Sequence, residues 1–250
     1  MLRFRVIPIV LLDGYSVVKT IRYNVRRNLG NPITVARIYN SRHVDELILL
    51  DIDASKENRK IDIFTIENIA SECFMPLTVG GGLRSCDDIA DALAHGADKI
   101  SLNTIIFENI SILREAVKIF GSQCIVASLD VQRDVNNNYC LYSHSGAKNT
   151  MSLTECLKIL NEFEVGELLV NSVDHDGTMT GYDYPLISFV SGLTNIPIIL
   201  AGGASSPDDC VRAIQCGASA VAAASIFHFT SITPLTCKQS MDKAHIPVRL

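Results

Sequence analysis

The sequence predicts a single (β/α)8 barrel over residues 1–250, and three observations carry that expectation. Short β-branched runs alternate with amphipathic stretches along the whole chain. Its 250 residues match the usual size of one such barrel. A segment in the first half is echoed, without gaps, in the second.

Strand-like runs fall at Phe4–Leu12, Glu46–Asp51, Met75–Val79, Lys99–Ser101, Cys124–Asp130, Glu167–Val173, Ile196–Ala201 and Ala220–Ala224. Each centres on β-branched or aliphatic residues, such as Val6-Ile7, Ile125-Val126 and Ile198-Ile199. Between them, stretches such as Asp62–Cys73 and Asp87–His95 place apolar residues at three- and four-residue spacing, the pattern of a helix with one buried face. Continuous apolar strands joined by helices imply parallel strands covered on both sides. The echo aligns Pro76-Leu-Thr-Val-Gly-Gly-Gly-Leu-Arg-Ser-Cys-Asp-Asp with Pro197-Ile-Ile-Leu-Ala-Gly-Gly-Ala-Ser-Ser-Pro-Asp-Asp. It continues as Ala92 against Ala213 and Gly96-Ala97 against Gly217-Ala218. Two half-barrels related by a pseudo-twofold explain such a repeat; an open sheet does not.

Composition narrows the function. Hydrophobic residues make up 48% and charged residues 20%, ordinary for a soluble domain able to bury its own core. Apolar runs such as Pro197–Leu200 have strand length, so no membrane span is expected. Met1-Leu2-Arg3-Phe4-Arg5 leads into the first strand without the small-residue cleavage site of a signal peptide. A net charge of -5 argues against nucleic acid as a partner. The eight cysteines form neither a CxxC pair nor a Cys/His cluster at ligand spacing. They read as reduced thiols of a cytoplasmic protein, with no metal or other cofactor.

Each repeat places a Gly-rich turn after a strand and then a helix opened by Ser and Asp. Backbone N–H groups in such turns and at helix starts favour anions. The first cradle is read as Gly82, Asn103 and Thr104; the second as Asp176-Gly177, Gly203, Ala224 and Ser225. Two cradles across one barrel mouth suit an elongated substrate with a phosphate at each end, although glycines also serve tight packing.

At these residues the chain resembles a known family. Pro76-Leu-Thr-Val-Gly-Gly-Gly, Gly96-Ala-Asp-Lys-Ile-Ser-Leu-Asn-Thr, Phe120-Gly-Ser-Gln-Cys-Ile-Val-Ala, Asp174-His-Asp-Gly-Thr, Ala224-Ser-Ile-Phe-His-Phe and the closing His245-Ile-Pro-Val-Arg-Leu are similar to the cyclase subunit of imidazole glycerol phosphate synthase. The resemblance covers essentially the whole chain. It implies a heterodimer with a glutaminase, from which ammonia crosses the barrel. It also implies conversion of the bisphosphorylated aminoimidazole nucleotide PRFAR to imidazole glycerol phosphate and AICAR, a step of histidine biosynthesis.

The family places an aspartate at the end of the first strand and another at the end of the fifth, because adding ammonia and closing the ring move protons on two sides of the substrate. Asp130 holds the fifth-strand position. On the first strand the family's aspartate falls on Leu11, which has no proton to transfer. Asp13 lies two residues on and would share a face with Leu11 if the strand continued, displaced by about 6–7 Å. Asp13-Gly14 also reads as an ordinary turn. Asn171 stands where the family usually has threonine. Lys19 matches a family lysine on a loop covering the substrate.

At the opposite end the resemblance implies an ammonia gate of Arg5, Glu46, Lys99 and Glu167, with Asp98 as a contact to the glutaminase. The same four charges also suit a structural salt-bridge layer. Three readings follow: the cyclase subunit itself, a paralog that activates a glutaminase and passes ammonia to another acceptor such as a surface-polysaccharide sugar, and, more weakly, a related isomerase.

Overall fold

The computed structural model describes residues 3–42, 44–143 and 151–250, leaving aside the side chain of Val25. In chain order its strands are β1 (Arg5–Leu12), β2 (Val17–Ile21), β3 (Val25–Gly30), β4 (Leu47–Asp51), β5 (Leu77–Gly80), β6 (Lys99–Leu102), β7 (Ile125–Arg133), β8 (Tyr139–Leu141), β9 (Glu167–Ser172), β10 (Ile198–Ala201) and β11 (Ala220–Ala223). Among the described residues, β1, β4, β5, β6, β7, β9, β10 and β11 run parallel in that order. Pairing of β11 with β1, from Arg5 opposite Ala220 to Pro8 opposite Ala223, closes the barrel. Parallel neighbours need crossover connections, and helices between the strands supply them.

The strand period of two organises the interior from bottom to top. On β1 the inward series is Arg5, Ile7, Ile9 and Leu11; on β7 it is Val126, Ser128 and Asp130; on β9 it is Glu167, Leu169 and Asn171. Charges therefore lie at the N-terminal ends and a polar cavity at the C-terminal ends. Between them is an apolar plug of Ile7, Ile48, Val126, Leu169, Ile199, Ala220 and Ala222. A second, larger core fills the space between the barrel and its helices. Each large aliphatic side chain buried there contributes about 1.5–3 kcal/mol.

The sequence repeat is also a structural repeat. Ser85 caps the helix Cys86–Ala94 by accepting the Asp88 N–H at 3.1 Å, and the Asp88 carboxylate accepts the Ser85 N–H at 3.2 Å. Ser206 and Asp209 do the same for the helix Pro207–Gln215, at 3.3 and 2.9 Å. Reciprocal caps of this kind satisfy donors that a helix start otherwise leaves open.

Three strands lie outside the eight expected. β2 pairs antiparallel with the end of β1, and β3 with β2, so the segment read as a covering loop is a β-hairpin. Its tip holds Arg22 at φ 47° and Tyr23 at φ 59°, a left-handed turn unusual for non-glycine residues. The third, β8, pairs with the overhanging end of β7. Among the described residues, no helix is long and apolar enough to cross a membrane, and no group of His, Cys, Asp or Glu is arranged to hold a metal ion.

Candidate active site

Asp130 sits at the C-terminal mouth, half-buried, and its carboxylate is enclosed by donors. Oδ1 accepts the Tyr23 hydroxyl at 2.6 Å and Asn171 Nδ2 at 3.3 Å; Oδ2 accepts Asn103 Nδ2 at 3.1 Å. Desolvation disfavours the charge more than these bonds favour it, and the carboxyl is pushed up to about 6. A carboxyl that exchanges its proton close to neutrality suits general acid–base work. Tyr23 shows the opposite side of the same environment. Burial, and then the charge of Asp130, hold its phenol well above the ordinary value, so it remains a neutral donor.

Leu11 lines the same cavity, as the inward series on β1 requires. Asp13 does not line it, which corrects the expectation that this residue could serve as a displaced catalytic carboxylate. The strand ends at Leu12, and Asp13 enters the β1–β2 turn, where its N–H donates to the Ser16 carbonyl at 3.1 Å. The turn reading of Asp13-Gly14 describes the observed backbone.

Lys19 is likewise not a loop residue: it lies on β2, buried, with Nζ 3.0 and 3.3 Å from the two oxygens of Asp176. Thr20 donates to the same carboxylate at 3.2 Å. Asp176 and Gly177 thus meet the hairpin at the edge of the cavity.

The residues assigned to the two cradles all line this cavity: Gly82, Asn103 and Thr104 on one side, Asp176, Gly177, Gly203, Ala224 and Ser225 on the other. The glycines also serve packing. A Cβ on Gly82 would fall 1.9 Å from the Arg59 carbonyl oxygen, and one on Gly203 would fall 2.2 Å from that of Gly181. Each thus lets a neighbouring loop press against the turn. Two short helices, Ile105–Glu108 and Ser225–Phe229, start at the cavity with no capping side chain, one in each half. Asn103 lines the cavity, and its amide also serves Asp130 and the Ser128 carbonyl, at 3.1 and 3.0 Å. Thr104 instead meets Ser55, at 3.0 Å.

At the other end the four charges form a closed ring. Arg5 bonds Glu46 at 2.6 Å and also Glu167; Lys99 bonds Glu46 at 3.0 Å and Glu167 at 2.8 Å. Thr78 adds a hydroxyl to Glu46 at 2.7 Å. Burial works against the charge on Glu167, but the fields of Arg5 and Lys99 hold its carboxyl below the ordinary range. Asp98 is exposed at the same end, one oxygen accepting the Leu77 N–H at 2.8 Å.

Tyr23 is a cavity residue that sequence reasoning missed. A signal was present: Val17-Val-Lys-Thr-Ile21 is strand-like, and Tyr23-Asn24 before Val25 suits a hairpin turn. Asp51, which lines the cavity and is bonded by Arg59 at 2.5 Å, was also missed.

Fold and site together define a barrel with Gly-rich turns on two sides of its mouth around one carboxyl pushed up to about 6, and a charged ring at its far end. Residues 5–233 match the family model described as histidine biosynthesis protein. Across its whole length the chain is 44% identical to a Campylobacter jejuni protein provisionally named imidazole glycerol phosphate synthase subunit hisF2, which is covered in full. It is 40% identical to the imidazole glycerol phosphate synthase subunit HisF of Caulobacter vibrioides, over 100% of this chain and 97% of that one. The HisF subunit of Thermobifida fusca is 39% identical, over 99% of each. The chain belongs to the histidine biosynthesis protein family, in its imidazole glycerol phosphate synthase HisF branch.

Proposed function

We propose that the chain is the ammonia-using subunit of an imidazole glycerol phosphate synthase. A glutaminase docks around Asp98 and releases ammonia at the ring of Arg5, Glu46, Lys99 and Glu167. Ammonia crosses the apolar plug and meets PRFAR, whose two phosphates occupy the cradles at the opposite mouth. Ring closure there gives imidazole glycerol phosphate, AICAR and water. The single observation that carries this reading is Asp130: a carboxyl pushed up to about 6 lies between two Gly-turn cradles, at the far end of the barrel from the charged ring.

One observation favours a second reading. Leu11 lines the cavity and Asp13 does not, so no second carboxylate faces the substrate at the end of β1. A paralog that conducts ammonia to another acceptor, such as a surface-polysaccharide sugar, has no need of one. Turnover of PRFAR with saturating ammonium, measured against an Asp130→Asn control, separates the two. Imidazole product above the control supports the cyclase. The second reading is supported if no product forms while the chain still binds a glutaminase and stimulates glutamine hydrolysis.

A further inference from the structure

Among the described residues, five side chains able to gain or lose a proton line the cavity: Lys19, Tyr23, Asp51, Asp130 and Asp176. Three of them are committed to ion pairs. Lys19 and Asp176 hold each other at 3.0 Å. Asp51 is held by Arg59 at 2.5 and 3.2 Å and accepts the N–H groups of Asp53 and Ala54 at 3.2 and 3.1 Å. Asp130 and Tyr23 remain, joined to one another at 2.6 Å.

We propose that Tyr23 is the second proton-transfer residue of this chain, its phenol supplying the acid for which Leu11 has no proton. The proposal rests on the ring-closing reading above. Asn171 sets the polarity of the arrangement. Its Nδ2 donates to the phenol oxygen, so the single O–H of Tyr23 points to Asp130. The hairpin tip is pinned on both sides of the mouth. The Arg22 N–H meets the Asp176 carbonyl at 2.9 Å, and Arg22 Nε meets that of Asp174 at 3.2 Å. Arg26 pairs with Asp53 on the other side. A left-handed backbone at a non-glycine residue is costly and recurs at functional sites, where the surroundings enforce it.

Ring closure requires one proton to leave the nitrogen added from ammonia and another to reach the nitrogen that departs with AICAR. The lone pair of the added nitrogen forms the new C–N bond, and the pair of the broken C–N bond leaves with the departing nitrogen. Asp130 accepts the first proton and Tyr23 gives the second. The phenolate then recovers its proton from Asp130 along their hydrogen bond, and both groups return to their starting states. After burial, the charge of Asp130 is the largest influence holding the phenol high. Protonating Asp130 removes that influence, so the acid strengthens when it is needed.

The test compares the natural chain, Tyr23→Phe and Leu11→Asp, each purified and folded, for PRFAR turnover with saturating ammonium across pH. In Tyr23→Phe, kcat is expected to fall by about 100-fold or more with KM changed by no more than about threefold. Its acid limb, near pH 6 in the natural chain, moves to higher pH because the carboxylate has lost a hydrogen bond. An active natural chain matched by Tyr23→Phe in kcat and acid limb, or differing only in KM, overturns the role of Tyr23 and leaves the cyclase reading intact. An inactive natural chain overturns both, and activity in Leu11→Asp alone then shows that the carboxylate had no substitute.

Discussion

The two ends of this barrel solve the burial of charge in opposite ways. At the N-terminal end four side chains neutralise one another: each cation of the ring meets both carboxylates, and Glu167 is held ionised. At the C-terminal mouth a carboxylate is surrounded by neutral donors, and the Asp130 carboxyl is pushed up to about 6. Paired charge gives a fixed layer, whereas unpaired charge gives a group ready to exchange protons. Leu11, where the family resemblance implies an aspartate, belongs to the second end. The strand period links Arg5 to Leu11 by three inward steps, so one strand carries both a ring residue and a cavity residue.

Breaking the chemical end should have the largest effect. Asp130→Asn is expected to lower ammonium-driven turnover by about 10²–10⁴-fold, read by steady-state kinetics. Breaking the ring should cost stability instead. Glu46→Ala leaves Arg5 and Lys99 sharing Glu167 and removes the acceptor of Thr78, and a loss of about 3 kcal/mol is expected in denaturant unfolding.

The pH dependences of the two ends should run in opposite directions. Asp130 has its carboxyl raised in the folded chain, so the folded state binds the extra proton. Its contribution to stability is therefore lost as pH rises from about 4 through about 6. The unfolding free energy of Asp130→Asn relative to the natural chain should gain about 2–3 kcal/mol over that interval. Glu167 has its carboxyl lowered, so its contribution is present above the ordinary carboxylate range and disappears as pH falls through the lowered value.

Smaller effects sharpen the comparison between the two halves of the mouth. Gly82→Ala and Gly203→Ala should each destabilise by more than about 1 kcal/mol, because both sites have positive φ and a carbonyl oxygen where the Cβ would go. Asp13→Asn should leave turnover unchanged and shift stability by less than about 0.5 kcal/mol, since its side chain does not line the cavity.

Much of this was legible in the sequence because it is written locally. The period of two along Arg5–Leu12 places Leu11 on the inward face, and Ser85-Cys-Asp-Asp88 announces its own cap. The partners of Asp130 are not local: Tyr23, Asn103 and Asn171 come from a hairpin tip, the residue after β6 and β9, and only closure of the barrel brings them together. The hairpin was hidden for a similar reason, since its register depends on a turn with two left-handed non-glycine residues. Asn103 was assigned to a cradle by its position after a strand; its amide bonds to Ser128 and Asp130 of the neighbouring strand appear only once the barrel is formed.

The most direct measurement is PRFAR turnover under saturating ammonium for the natural chain and Leu11→Asp, run side by side. The account predicts that the natural chain forms imidazole glycerol phosphate and AICAR with leucine in place. Activity confined to Leu11→Asp would contradict it and assign the natural chain to delivering ammonia elsewhere.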